Sequence, residues 1–412
     1  MSLELSSLKE SNEFLNLLMD SIPSAVFLVD KNVRIQQFNQ GFQKLFSKTE
    51  TELVNQYCGN AIGCAFAVDE NQICGQTSNC SNCVLRNAII ESFLDKAPCS
   101  KVKLDRHFYI GSEKRNKHFL FSAMYLTYHK EEMILIVVDD MTELETQRLW
   151  LLEKQERLDE DLKSAAEIQR SLLPASFPRI SNCSFAYRFI PSEQVGGDIF
   201  NIFELDDQHV IIYVLDVSGH GVPAAMVTVS VSQMLSPTTG YFCNRGDDIQ
   251  PGCETELASP GKVLEALDAN YPIERFDKYF TMSYVVLNHH ELNLVSCNAG
   301  HPPPIILRSD GSMENLEQGG SIVGMGGLIP FEEEFKTLNK GDKLIFYTDG
   351  VTEYSSGAGE LFGEDRLKTV IRRQVSGSAE QTADDIVRSV MEFGDNAPPD
   401  DDITIVVVNF SK

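Results

Sequence analysis

No apolar run in this chain approaches the roughly 20 residues a helix needs to cross a bilayer. Nor is there a basic patch: Lys and Arg number 35 against 60 Asp and Glu, a formal charge of −25. Such an excess of negative charge disfavours nucleic acid and anionic lipid, so neither nucleic acid nor membrane is expected as a partner. The start, Met1-Ser2-Leu3-Glu4, lacks the basic opening of a signal peptide, and a cytoplasmic location is expected. No internal repeat is evident. What is present, 42% apolar and 23% charged residues over 412 positions, is the composition of a globular protein too long for one core. Two domains and a connector are expected, with α+β content.

Residues 1–20 carry Leu5, Leu8, Phe14, Leu15 and Leu18 at the spacing of an amphipathic helix, which Pro23 ends. From Ala25 to Asn39 two apolar strands flank an Asp30-Lys31-Asn32 turn, and a helix with Phe42, Leu45 and Phe46 follows. Strands are predicted at Ser100 to Tyr109, His118 to His129 and Met133 to Val138, with an Asp140-Met141-Thr142-Glu143 exit. This order resembles the PAS sensor fold. The resemblance implies a PAS-like α/β sensor domain over residues 21–142.

Six of the ten cysteines fall between Cys58 and Cys99, in a stretch (58–99) read as an insert that replaces ordinary PAS helices. Cys80 and Cys83 have the two-residue gap that lets two thiolates face one ion, and Cys64 and Cys74 would complete four ligands for Zn2+ or an iron–sulfur cluster. The plainer reading is that of free cysteines used as small buried apolar residues.

Residues 143–173 contain neither Gly nor Pro and predict one long linker helix. Leu144, Leu151, Leu158, Ala165 and Leu172 recur every seven residues, whereas the companion seam of Arg148, Gln155, Leu162 and Gln169 is mostly polar. A weak coiled coil follows, suited either to a switch that changes register or to a static spacer.

Beyond Pro174 strands and helices alternate as in an enzyme domain, 174–412. The apolar run Val210 to Leu215 ends in Asp216, and Val217-Ser218-Gly219-His220-Gly221 turns the backbone toward a helix. Gly196-Gly197-Asp198, Thr348-Asp349-Gly350 and Asp400-Asp401-Asp402 sit at comparable strand ends. Carboxylates drawn from four distant strand ends, with no histidine or thiolate among them, suit a hard divalent cation. The cysteines of this region, Cys183, Cys243, Cys253 and Cys297, lie in no Cys-x5-Arg loop, so a thiol nucleophile is unsupported. Gly324-Met325-Gly326-Gly327 has no following lysine and is read as a loop, not a phosphate cradle.

These acids belong to six strings that occur in order. They are Ala166-Glu167-Ile168-Gln169-Arg170-Ser171-Leu172-Leu173-Pro174, Val195-Gly196-Gly197-Asp198, Asp216-Val217-Ser218-Gly219-His220-Gly221, Asn298-Ala299-Gly300-His301-Pro302-Pro303-Pro304, Tyr347-Thr348-Asp349-Gly350-Val351-Thr352-Glu353 and Asp401-Asp402-Ile403-Thr404. Together they resemble the SpoIIE and RsbU branch of the metal-dependent, protein phosphatase 2C-type serine/threonine phosphatases. The resemblance implies an α-β-β-α sandwich with two Mn2+ or Mg2+ ions at one end. Asp216 would bridge both ions, the Val217 carbonyl would bind one, Asp198 would support the second, and Asp349 and Asp401 would hold the first. The family has Asp-Asn where this chain has Asp401-Asp402, which leaves Asp402 outside the ligand set. His220 is read either as the acid that protonates the leaving seryl oxygen or as a residue that orients its loop. His301 is read as a turn device.

The function implied is removal of phosphate from phosphoserine or phosphothreonine on a partner protein in bacterial signalling, with an anti-sigma-factor antagonist as the family's substrate. The family favours a homodimer through the sensor and linker helix. The alternative is a sensor or scaffold that binds its partner without turnover.

Overall fold

The computed structural model describes residues 8–128, 130–174, 176–236 and 258–410. By contacts the chain divides into two compact units, Met1–Glu156 and Arg157–Lys412.

In the first unit, helix α1 (Leu8–Ser21) precedes an antiparallel sheet of β1 (Ala25–Val29), β2 (Ile35–Phe38), β3 (Cys99–Ile110), β4 (Glu113–Tyr128) and β5 (Glu131–Asp140), in the order β2-β1-β5-β4-β3. The β1–β2 turn is closed by Asp30, whose Oδ1 accepts the amides of Asn32 and Arg34. Asn39 caps α2 (Gln40–Phe46): its Oδ1 accepts from the Phe42 amide at 3.0 Å and from the Val26 amide at 2.9 Å, tying helix to strand. Phe42 packs between Phe27 and Phe46 at ring separations of 4.9 and 4.8 Å.

The cysteine-rich stretch does not replace helices, contrary to the sequence reading. It forms α3 (Cys58–Ala61), α4 (Ala65–Asp69) and α5 (Val84–Asp95). Leu85, Ala88 and Ile89 bury one face of α5 in the same core as Phe108 and Ile136, a helical period that the cysteine spacing obscured.

Helix α6 runs over Thr142–Ser171, and the boundary between the units falls inside it. Among the described residues no helix is long and apolar enough to cross a membrane.

The second unit has two sheets. With β11 (Ile305–Leu307), β12 (Met313–Asn315), β13 (Gly319–Gly320) and β14 (Glu334–Thr337) as short strands, one is ordered β13-β10-β9-β8-β7, with β14 on β10, and the other is β12-β11-β15-β16-β6. Their principal strands are β6 (Cys183–Ile190), β7 (Asp198–Glu204), β8 (His209–Val217), β9 (Phe280–Asn288), β10 (Asn293–Ala299), β15 (Lys343–Tyr347) and β16 (Ile403–Phe410). Alternation along β8 explains the layering. Val210, Ile212 and Val214 point between the sheets toward Phe346, Val406 and Val408. Ile211, Tyr213, Leu215 and Val217 face the helices α7 (Val222–Met234) and Pro260–Asn270. The far face of the second sheet is covered by the helices Gly363–Arg372 and Ala379–Phe393. An α-β-β-α sandwich results, and because both faces of β8 are covered its sequence is continuously apolar. The polar stretch Ser236 to Pro260, which carries Gly240, Gly246, Gly252, Pro237, Pro251 and Pro260, is expected from its sequence to loop out, and most of it lies outside the described residues.

Candidate active site

The acids converge because of strand register. β7 begins at Asp198 and β8 ends at Asp216 and Val217, and antiparallel pairing sets Asp198 opposite Asp216. In the other sheet Tyr347 of β15 pairs with Ile405 of β16, so Asp349 just after β15 and Asp401 and Asp402 just before β16 share one end. Two hydroxyls join the sheets: Thr348 and Thr404 both donate to Asp198 Oδ2, at 2.8 and 2.5 Å. Asp402, 2% exposed, accepts from the Ser192 amide and hydroxyl at 2.8 and 3.0 Å and from the Asp198 amide at 3.3 Å.

Close approach depends on glycine. A Cβ on Gly196 would lie 1.9 Å from Asp402 Oδ2, and one on Gly197 would lie 2.7 Å from the Val217 carbonyl oxygen and 3.1 Å from Asp216 Oδ1. The backbone around both Asp216 and Val217 is thus open on the side of Gly197.

Burial, then the charges of Asp349 and Asp401, push the Asp216 carboxyl up to about 8. Burial and then Asp216 and Asp402 raise Asp198 well above the carboxylate range. Asp349 is raised by burial and by Asp401, and Asp401 chiefly by burial. Carboxylates that raise one another in this way lack positive charge, which a divalent cation would supply. The donor set, all oxygen with a free backbone carbonyl beside it, fits Mn2+ or Mg2+. Among the described residues no three His, Cys, Asp or Glu side chains already stand as a closed cage.

His220 stands at the open edge of this cluster, near enough for its charge to act on Asp401. Its side chain is 72% exposed, with Nδ1 2.9 Å from Glu193 Oε1. His301 is buried: Nδ1 meets the Thr281 hydroxyl at 2.8 Å, and the Asn298 side chain accepts the His301 amide and donates to its carbonyl. Burial pushes its pKa down to about 3, so it stays neutral. Thr281 lies opposite Asp216 on β9. The amides of Gly324 and Gly327 both reach Asp268, at 2.6 Å, so that turn cradles one of the chain's own carboxylates. Burial pushes Cys183 and Cys297 up to about 12, which suits neither to nucleophilic work; Cys243 and Cys253 lie outside the described residues.

Residues that the motifs did not single out also contribute. Lys278 Nζ donates to the Ser218 carbonyl at 2.9 Å, Glu353 adds negative charge near Asp216 and Asp349, and Ser192 holds Asp402. Thr348, Glu353 and Thr404 lay inside quoted strings, where the β-branched side chains of the two threonines looked like those of ordinary strand residues. Lys278, Glu193 and Ser192 carried no signal at all.

The family model "Stage II sporulation protein E (SpoIIE)" matches residues 206–411, and a PAS domain model matches residues 13–79. Protein IcfG of Synechocystis is 31% identical over 263 residues, 60% of this chain and 41% of that protein. Phosphoserine phosphatase RsbU of Bacillus subtilis is 25% identical over 260 residues, 62% of this chain and 71% of that protein. The SiaA-PP2C domain of Pseudomonas aeruginosa shares the fold at a TM-score of 0.52 and 20% identity, over 63% of this chain and 99% of that one.

Proposed function

Because the chain belongs to the SpoIIE family, we propose that it is a metal-dependent protein serine/threonine phosphatase acting on a phosphorylated partner protein in signalling. The observation that carries this reading is the buried, mutually repelling carboxylate set at one end of the sandwich. Asp216 with the Val217 carbonyl, Asp198, Asp349 and Asp401 would hold two divalent ions. Bound there, Mn2+ or Mg2+ supplies positive charge against a phosphoryl group and acidifies water.

The chain's own residues do the rest. Thr348 and Thr404 fix the orientation of Asp198, and Asp402 anchors the Ser192 segment against it. Gly197 leaves the Val217 carbonyl uncovered. His220, oriented by Glu193, is the proposed acid for the leaving seryl oxygen. The partner read from the family is an anti-sigma-factor antagonist, and the name phosphoserine phosphatase carried by RsbU supports the substrate class. The PAS-like unit would set the rate through α6, in a cytoplasmic homodimer.

The test is phosphate release from a phosphoserine peptide and from p-nitrophenyl phosphate with Mn2+ present. Release by the full chain that Asp216→Ala abolishes is expected. If neither protein releases phosphate while the chain still binds a phosphorylated partner, the scaffold reading replaces the enzymatic one.

A further inference from the structure

Away from the carboxylates, in the first unit, a cavity of about 30 Å3 is lined by five thiols, those of Cys58, Cys64, Cys74, Cys80 and Cys83. Two guanidiniums, Arg86 and Arg106, line it as well, and no carboxylate does. Arginine stays charged at any physiological pH. Two positive charges therefore face a cavity whose other walls are thiols, one threonine and apolar groups. The Arg86 Nη1 is buried without a hydrogen-bond partner, an arrangement that costs free energy unless something negative completes it.

The hydrogen bonds sort the thiols. Arg106 Nη1 reaches Cys64 Sγ at 3.8 Å and Cys83 Sγ at 3.5 Å. Cys80 Sγ receives the Gly75 amide at 3.0 Å and lies 2.9 Å from the Thr77 hydroxyl. A Cβ on Gly59 would stand 2.7 Å from Cys74 Sγ, so the Gly59 backbone lies close against that sulfur. Cys83 also occupies the N-cap of α5, where the helix dipole favours a thiolate. No such donor is directed at Cys58, the deepest of the five. Donors aimed at sulfur are the outer partners that metal thiolates have.

We propose that Cys64, Cys74, Cys80 and Cys83 form a four-thiolate site for a single thiophilic divalent ion of the zinc class, with Arg86 and Arg106 as its counter-charges. Four thiolates around a divalent ion carry a net charge of minus two, which the two guanidiniums offset. The free space is on the order of one water molecule, which suits one ion. The sulfurs are not at coordinating separations as they stand; side-chain rotations in a loop-rich segment would bring them together. Binding releases the thiol protons to solvent as the metal–sulfur bonds form.

The test uses the full chain, purified without chelator under nitrogen, with metal content measured by mass spectrometry and Co2+ exchanged in as a probe. One zinc per chain is expected, and sulfur-to-cobalt charge-transfer absorption, which a carboxylate site cannot produce. Cys64→Ser, Cys74→Ser, Cys80→Ser and Cys83→Ser should each lose that band and Cys58→Ser should keep it, while Arg106→Gln should weaken affinity on the order of 10–100-fold. A wild-type readout guards against misfolded variants: chelator should speed alkylation of Cys64, Cys74, Cys80 and Cys83. Absence of both metal and cobalt–sulfur absorption in the wild type, or equal retention in all variants, overturns the site. Iron with acid-labile sulfide overturns the single-ion assignment.

Discussion

Asp198 is held by Thr348 and Thr404 in one orientation before any ion arrives, so the negative charge crowded around it is built into the fold. Such a site trades stability for function. Asp216→Asn should therefore raise the melting temperature of the chelator-treated protein, by an amount corresponding to about 1–2 kcal/mol, while phosphatase turnover falls at least 100-fold; calorimetry and a phosphopeptide assay read the two effects. His301 gives a pH dependence of known sign. Its folded pKa is about 3 and its unfolded value about 6.5, so the unfolded chain takes up the proton first as pH falls. The stability it permits is complete above about pH 6.5 and is lost progressively toward pH 3, about 2 kcal/mol of it by pH 5. Denaturant unfolding at pH 7 and pH 5 should show that slope in the wild type and a shallower one in His301→Gln. At this scale the acids were legible because carboxylates beside glycines at strand ends have little structural use. Ser192 was not, since its contact with Asp402 spans 210 residues of sequence.

Among the elements, α6 holds the least expected contact. Gln169, placed by its seven-residue spacing on a polar seam, is instead 6% exposed. Its Oε1 accepts the Gly196 amide at 3.1 Å, and its Nε2 donates to the Gly196 carbonyl at 2.8 Å and to the Thr228 hydroxyl of α7 at 3.2 Å. One side chain thus completes the backbone of the segment that delivers Asp198. Gln169→Ala leaves that buried amide and carbonyl unpaired, and should cost about 2–3 kcal/mol of stability in the second unit and lower turnover several-fold. Turnover unchanged at equal protein folding would show that the clasp is only structural. The strong elements were legible for physical reasons: β8 is buried on both faces, and α6 lacks breakers. The strands Met313–Asn315, Gly319–Gly320 and Glu334–Thr337 are two to four residues long, too short to show a period; the first is fixed by a hairpin with Ile305–Leu307 and the other two by pairing with β10.

For the molecule as a whole, the question is what covers the apolar residues of α6 within the first part of its length. Leu144, Leu151 and Leu158 are 57%, 59% and 62% exposed, at the seven-residue spacing of a coiled-coil seam, whereas Ala165, and Leu172 just past the end of α6, pack into apolar clusters of the second unit. The series therefore changes its occupation part-way along one unbroken helix. A second copy of the chain is the occupant that the spacing fits, and the polar companion positions Arg148 and Gln155 make the pairing weak. Trp150, the one tryptophan in the sequence and 57% exposed, sits on this stretch and reports on it. Sedimentation should show a concentration-dependent dimer with a blue shift in Trp150 emission on assembly, and Leu144→Ser/Leu151→Ser/Leu158→Ser should remain monomeric with both units folded. A fragment beginning at Leu158 keeps Gln169 and the carboxylate cluster but not this seam. If pairing sets how the clasp on Gly196 is held, its phosphatase rate should differ from the full chain's by several-fold and should no longer depend on protein concentration, whereas equal rates would assign the first unit a role other than control of turnover.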